Sequence, residues 1–139
     1  METVAVSTVT PVYRGAKTLP ALVHALAEQR DAWERDDLPI RLTESIFVDD
    51  GSIDGSAEIL AQLAEEYHWV HPITLARNFG QHPATIAGAL HASGDWIVTL
   101  DEDLQHQPKD IVRLLYAALT EHADVVYARP HGQVHQKIW

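Results

Sequence analysis

Residues 100–108 read LDEDLQHQP, with Asp101 and Asp103 flanking one residue directly after the apolar run Trp96-Ile97-Val98-Thr99-Leu100. Two carboxylates at the mouth of a buried strand repel each other and lose solvation, so a positive charge is expected beside them. A divalent cation such as Mg2+ or Mn2+ fits: it takes hard oxygen ligands, often only one or two carboxylates, and completes its shell with substrate phosphates. The competing account is helix electrostatics, because Asp103 lies shortly before a helix opening near Pro108, where negative charge is favourable. In VDDGS, Val48 to Ser52, a carboxylate at a strand end is followed by Gly, which lets a backbone or ligand approach closely. Asp50 is the better ligand contact there, for a ribose or a base edge; Asp49 is expected to be structural and Asp54 a helix cap. An Asp-Gly turn with capping accounts for the same residues. RNFGQHP supplies Arg77, Asn78 and Gln81, and an Arg at that place either reaches a diphosphate or sits on a solvated loop.

Other chemistries find less support. Nine His residues are present, but no spacing matches a zinc site with supporting Cys or Glu. His131 and His135 are four apart near the end of the chain, and His82 and His106 read as wall residues. Carboxylates two apart on one loop do not flank opposite faces of a sugar, as a glycosidase requires. The first loop, PVYRGAK, is neither GxGxxG nor a P-loop, so dehydrogenase and nucleotide triphosphatase readings lose their main signature. Asp95 starts a strand and reads as a structural hydrogen-bond acceptor.

These clusters need a frame, and the hydropathy pattern supplies one. Val4 to Val9 is a β-branched strand stopped by Pro11, and Thr18 to about Trp33 is a helix with Leu19, Leu22, Val23, Leu26 and Ala27 on one face. Thr18 is its expected N-cap, with Pro20 in the first turn. A polar link ERDDLPIRLTE leads to a strand at Ser45–Val48, a helix at Ala57–Tyr67 and a strand at Trp69–Leu75. A small-residue helix, Ala84 to Ala92, is suited to close packing on a sheet. A strand at Trp96–Leu100, a helix from Pro108 to about Glu121 and a fifth strand at Asp124–Tyr127 complete the chain. This alternation predicts an α/β fold with a mainly parallel sheet of about five strands flanked by helices. Right-handed crossovers put every strand-to-helix loop at one edge of the sheet, where ligands bind in such folds. TPVYRGAK, DDGSIDGS, RNFGQHP and DEDLQHQP therefore converge.

Length sets one domain, residues 1–139, with a modest core. Lys plus Arg number 10 against 20 Asp plus Glu, a formal net charge of −10, which excludes nucleic acid as a bulk electrostatic partner and opposes adsorption to an anionic membrane. Cys is absent, so disulfides and thiol catalysis are excluded and a reducing, cytoplasmic compartment is expected. METVAVSTVT lacks the build of a secretory leader, and no apolar run is long enough to span a membrane.

Together, VDDGSIDGS, LARNFGQHPATIAGALHASGDWIVTLDEDLQHQP and DVVYARP resemble a family 2 glycosyltransferase of the GT-A fold, from about Val4 to Arg129. The likeness is greatest to the polyprenyl-phosphate branch, the dolichol-phosphate mannose synthases and undecaprenyl-phosphate sugar transferases. It implies transfer of a sugar, with inversion, from a GDP- or UDP-sugar donor to a polyprenyl phosphate. It implies that Pro11 and Tyr13 meet the nucleotide, that Asp50 recognises the nucleoside and that Arg77 and Gln81 lie beside the donor. Asp101, Asp103 and Gln105 match the set that holds Mg2+ or Mn2+ and the donor diphosphate, and Arg129 matches an acceptor-phosphate residue. The family pattern usually continues Asn-Glu-Glu after the Tyr, whereas this chain has Arg14-Gly15-Ala16. The family domain also runs on past Trp139, so the acceptor side is expected to be largely missing. Where the whole protein works, the likeness implies the cytoplasmic face of a membrane.

Two other readings stand beside this one. A nucleotidyltransferase would share the sheet and the carboxylate-held metal but release pyrophosphate rather than a nucleoside diphosphate. A non-catalytic nucleotide-binding module would bind donor or metal without transfer. A free sheet edge beyond the last strand would let copies of the chain pair, so a homo-oligomer is among the expectations.

Overall fold

The computed structural model describes residues 2–105 and 107–126. The elements run β1 (Val4–Val12), α1 (Leu19–Arg35), β2 (Ile40–Asp49), α2 (Ser56–Glu66), β3 (Val70–Thr74), α3 (Gln81–His91) and β4 (Trp96–Thr99). A 3-10 turn at Pro108–Asp110 then leads into α4 (Ile111–Thr120). The sheet order is β3-β2-β1-β4, and every pairing is parallel. Four strands are present among the described residues. Asp124 to Val126 are not in a strand, and Tyr127, His131, His135 and Arg129 lie outside the described residues, as does His106.

The chain steps from β1 to β2 to β3, then returns across the sheet to place β4 on the other side of β1. The direction of travel therefore reverses, and right-handed crossovers put α3 on the face opposite α1 and α2. Two apolar layers result. The larger gathers Val12, Leu22, Leu26, Trp33, Phe47, Leu60, Ile111 and Leu115 with others. The smaller, under α3, is Val9, Ile46, Val48 and Ala84. The expected close approach of α3 is real: a Cβ on Gly88 would stand 2.4 Å from Val9 Cγ1 and 3.0 Å from Val48 Cγ2.

Several boundaries differ from expectation. Pro11 does not stop β1, which runs on to Val12. The Leu100 N–H donates to the Val9 carbonyl and the Asp50 N–H to the Val12 carbonyl. Strand alternation thus aims the Pro11 nitrogen to the β4 side, where β4 has already ended and no donor is needed. β2 begins at Ile40, inside the stretch read as a polar link, because Ile40 and Leu42 are buried while their neighbours are not. Its pairing with β1 slips between Val6 and Ser7, a bulge that hydropathy does not encode. Pro108 opens a 3-10 turn rather than an α-helix, and Thr18, at the N-cap of α1, donates its hydroxyl to the Gly15 carbonyl at 3.2 Å.

Candidate functional site

At the carboxyl edge of the sheet, the loops after β1, β2, β3 and β4 are stitched together. In the first loop, the N–H groups of Arg14, Gly15 and Ala16 donate to Ser52 Oγ (2.9 Å), Ser56 Oγ (3.1 Å) and Asp54 Oδ2 (3.2 Å) of the second. Asp54 also accepts from the Ser56 hydroxyl at 2.6 Å and the Ser56 N–H at 3.2 Å. The N-cap position of α2 is Gly55, and Asp54, one residue earlier, satisfies the N–H of Ser56 at the start of the helix while also bridging to the first loop through Ala16. Burial works to raise the Asp54 pKa, but the hydrogen bonds from Ser56 and Ala16 outweigh it and hold the group below its ordinary value.

The second loop grips the third. Asp50 is fully buried, and its two carboxylate oxygens accept the N–H groups of Phe79 (2.8 Å) and Gly80 (2.9 Å). Asp49 accepts from the Ser52 N–H at 3.1 Å, the structural role expected of it. Gly51 has φ +73°, and a Cβ there would stand 2.6 Å from the Asn78 nitrogen, so the loops meet backbone to backbone. On the rim, the Arg14 guanidinium stands 5.2 Å from the centre of the Tyr13 ring, and that of Arg77 stands 4.7 Å from the half-exposed Phe79 ring.

The third loop reaches the fourth through Gln81, whose Nε2 donates to Asp101 Oδ1 at 3.1 Å. Asp103 accepts the Gln105 N–H at 3.1 Å, with Leu104 between them at φ +63°. That strained turn sits beside two carboxylates, where strain is commonly stored for function. Asp101 and Asp103 are partly buried. Glu102, between them, is buried at 2% exposure against the first loop, where a Cβ on Gly15 would stand 2.8 Å from its Cγ. Sequence reasoning treated Glu102 as a spacer. Alternation was the available signal: if Asp101 and Asp103 face one side of a turn, the residue between them faces the other.

The structure thus brings Gln81 to Asp101 and gathers Tyr13, Asp50, Arg77, Asp103 and Gln105 on loops at the same edge, with Pro11 at the carboxyl end of β1. His82 is exposed on α3. Asp95 lies at the far edge, where it accepts the Ala5 N–H at 2.9 Å and donates its own N–H to the Ala5 carbonyl, as expected for a structural group. Glu44 organises that far edge too, accepting from Ser7 Oγ, Ser93 N–H and Ser93 Oγ. Burial opposes its charge, yet those bonds and nearby His71 hold its pKa below the usual value.

The donor set suits a hard divalent ion. Asp101 and Asp103 offer carboxylate oxygens two residues apart. Among the described residues no cluster of three or more Asp, Glu, His or Cys forms a closed cage. An ion held by these two would take the rest of its shell from elsewhere, which matches a cation shared with a phosphorylated ligand.

An open parallel sheet whose direction reverses between β1 and β4, with acidic and Gly-bearing loops at its carboxyl edge, defines a doubly wound α/β domain whose crevice for a ligand lies at that edge. The family can be stated more closely. The model of glycosyl transferase family 2 matches residues 7–138, so the chain belongs to that family, and its fold is GT-A. An undecaprenyl-phosphate 4-deoxy-4-formamido-L-arabinose transferase of Salmonella choleraesuis (strain SC-B67) is 41% identical over 126 residues, covering 87% of this chain and 35% of the relative. Its counterpart in Salmonella newport (strain SL254) matches equally. The chain therefore spans about a third of the length of these curated relatives. Staphylococcus aureus TarS 1–349 superposes with a TM-score of 0.63 at 22% identity, over 88% of this chain and 33% of that one. The mannosyltransferase PcManGT from Pyrobaculum calidifontis, solved with GDP-Man and Mn2+, superposes with a TM-score of 0.61 at 22% identity, over 74% and 28%. Among the described residues no helix is long and apolar enough to cross a membrane.

Proposed function

We propose that residues 1–139 form a single domain, the donor half of an inverting, divalent-metal-dependent glycosyltransferase. Its donor is a GDP- or UDP-sugar and its acceptor a polyprenyl phosphate such as undecaprenyl or dolichyl phosphate. The observation that carries the reading is the Gln81–Asp101 hydrogen bond, which joins the third and fourth loops at the reversal edge of the sheet. The 41% identity to a polyprenyl-phosphate sugar transferase supports the acceptor class.

In this reading, Pro11 and Tyr13 flank the nucleotide from the first loop, and Arg77 and Gln81 from the third, with Asp50 beneath them. Asp101, Asp103 and Gln105 hold the cation and the diphosphate. Held by Asp101 and Asp103, Mg2+ or Mn2+ would supply the positive charge to offset what develops on the departing nucleoside diphosphate. One oxygen of the acceptor phosphate forms a bond to the anomeric carbon from the opposite face. The bond to the donor diphosphate breaks, and its electron pair leaves with the diphosphate. A phosphate is already an anion near neutral pH, so the protein needs to position it rather than deprotonate it. Arg129, outside the described residues, is assigned to that acceptor phosphate. In the whole protein, the domain works at the cytoplasmic face of the membrane that carries the lipid acceptor.

The span of only a third of the relatives favours a second reading for this chain alone: donor and metal binding without turnover. A thermal-shift screen of GDP, UDP and their sugar conjugates, with and without Mn2+, tests the donor site, because a ligand that binds only the folded state raises Tm. The expected result is a Mn2+-dependent rise with one nucleotide that is lost in Asp103→Ala. A cooperatively folded sample with no shift for any nucleotide refutes the proposal. Incubation with donor and undecaprenyl phosphate then separates the two readings, by whether free nucleoside diphosphate appears.

A further inference from the structure

Glu102 is a buried acid that the mechanism above leaves unused. It lies between Asp101 and Asp103 at 2% exposure, and burying a charge is unfavourable unless something answers it. It is packed against the first loop: a Cβ on Gly15 would stand 2.8 Å from Glu102 Cγ and 3.5 Å from Glu102 Cβ. The two positions therefore share one volume, and the side chain at 102 fills what a side chain at 15 would take. Gly15 is itself held in place. Its N–H donates to Ser56 Oγ at 3.1 Å, and its carbonyl accepts the N–H groups of Thr18 and Leu19, both at 3.0 Å. Those last two bonds open α1. No residue in the first turn of α1 is acidic, and the Thr18 hydroxyl donates to the Gly15 carbonyl instead of capping the helix. A carboxylate beside Gly15 thus lies where the positive end of the helix macrodipole favours negative charge. The acidic turn, for its part, has left the sheet, because β4 ends at Thr99.

We propose that Glu102 is a positioning residue for the cation. Its buried side chain, wedged against Gly15 at the amino end of α1, fixes the turn that carries Asp101 and Asp103. It thereby sets the separation between those carboxylates and the first loop, which carries Tyr13. This rests on the donor-site reading above and deepens it: one large–small pair, Glu102 and Gly15, holds the nucleoside end and the cation end of the site at a fixed distance. Glu102 is bonded in sequence to both acids, so it cannot shift without moving them.

Three variants test this. Glu102→Ala removes the wedge, Glu102→Gln keeps its length without the charge, and Gly15→Ala overfills the shared volume. Calorimetric titration of the 139-residue chain with UDP or GDP, in Mn2+ and in EDTA, reads the effect. In Mn2+, affinity should fall about tenfold in Glu102→Ala, as when a group supporting a metal ligand is lost; in EDTA it should stay within about twofold of the wild type. Glu102→Gln should lose only about threefold in Mn2+, the worth of a charge at a helix end. Gly15→Ala should lose as much as Glu102→Ala and add nothing to it in the double variant, since the two side chains contend for one space. The proposal is overturned if Glu102→Ala keeps the Mn2+-dependent affinity that Asp103→Ala abolishes, or if affinity falls equally with and without Mn2+. It is also overturned if Glu102→Gln loses as much as Glu102→Ala, or if the Gly15→Ala loss persists in the double variant. If the wild type binds no nucleotide with Mn2+, the donor reading fails. The Gln81 side-chain amide signals in two-dimensional NMR spectra, which report its bond to Asp101, then decide whether Glu102 positions the turn. They should move in Glu102→Ala toward where Asp101→Ala puts them, and signals that stay in place overturn the proposal.

Discussion

Gly88 sets two known effects against each other, and the structure decides the sign. Replacing a helix-interior Gly by Ala ordinarily stabilises a helix by about 1 kcal/mol. Gly88 lies within α3, so propensity alone predicts a gain. The added methyl, however, would stand 2.4 Å from Val9 Cγ1 and 3.0 Å from Val48 Cγ2. Carbon atoms pack at about 3.5–4.0 Å, so α3 must lift by roughly 1 Å or Val9 must leave its rotamer. Val9 cannot yield easily, being fully buried on a strand paired on both sides. Overpacking of this kind costs about 1–3 kcal/mol. A contact as short as 2.4 Å puts this case in the upper part of that range, about 2–3 kcal/mol, so set against the propensity gain of about 1 kcal/mol the net loss is about 1–2 kcal/mol. For a chain of 139 residues that lowers Tm by about 3–7 °C. Differential scanning calorimetry of Gly88→Ala measures it, with Leu90→Ala as a control. Leu90 is on the same helix but 80% exposed, and its truncation should change stability by less than about 0.5 kcal/mol. The effect should reach the site as well, because Gln81 lies two turns earlier on α3 and a displaced helix stretches its bond to Asp101. An unchanged or raised Tm in Gly88→Ala would refute the claimed close approach of α3 to the sheet.

Other outcomes are expected alongside the Asp103→Ala experiment. Thr10 is fully buried and its hydroxyl has no partner among the described residues, so the near-isosteric Thr10→Val should stabilise by about 1 kcal/mol in urea titration. Asp54 and Glu44 both have folded-state pKa values below their ordinary ones. Each therefore contributes stability that is present above its unfolded pKa and is lost as pH falls through its folded pKa. Tm should drop below the ordinary carboxylate range, and Asp54→Asn should flatten that drop while lowering Tm at neutral pH.

The fold class was legible because parallel strands covered on both faces read as short apolar runs and helices carry the longer period. The small residues of α3 foretold its close seat on the sheet. The start of β2 was not legible, since Arg41, Thr43 and Glu44 alternate with buried Ile40 and Leu42 inside a stretch that looks polar as a whole. Pro11 misled for a different reason: whether a strand tolerates proline depends on which side lacks a neighbour, and only the topology tells that. The candidate site was legible as a set of loops but not as a set of bonds. Asp101 and Gln81 could be named from their motifs, yet their pairing spans twenty positions in sequence. Nor could composition show that Asp54 would bridge to the first loop as well as satisfy the N–H at the start of α2, because the acceptors are Asp and Ser in either case.

The stitching of the first loop also bears on how this site can change. Arg14, Gly15 and Ala16 contribute only their main-chain N–H groups to Ser52, Ser56 and Asp54. The frame thus depends on the identities of the acceptors and on the smallness of Gly15, which abuts Glu102. The side chains of Arg14 and Ala16 lie outside that constraint. A lineage could vary them, and so change what the rim presents, without rebuilding the platform beneath it. Selectivity and foldability are encoded here in different atoms of the same three residues.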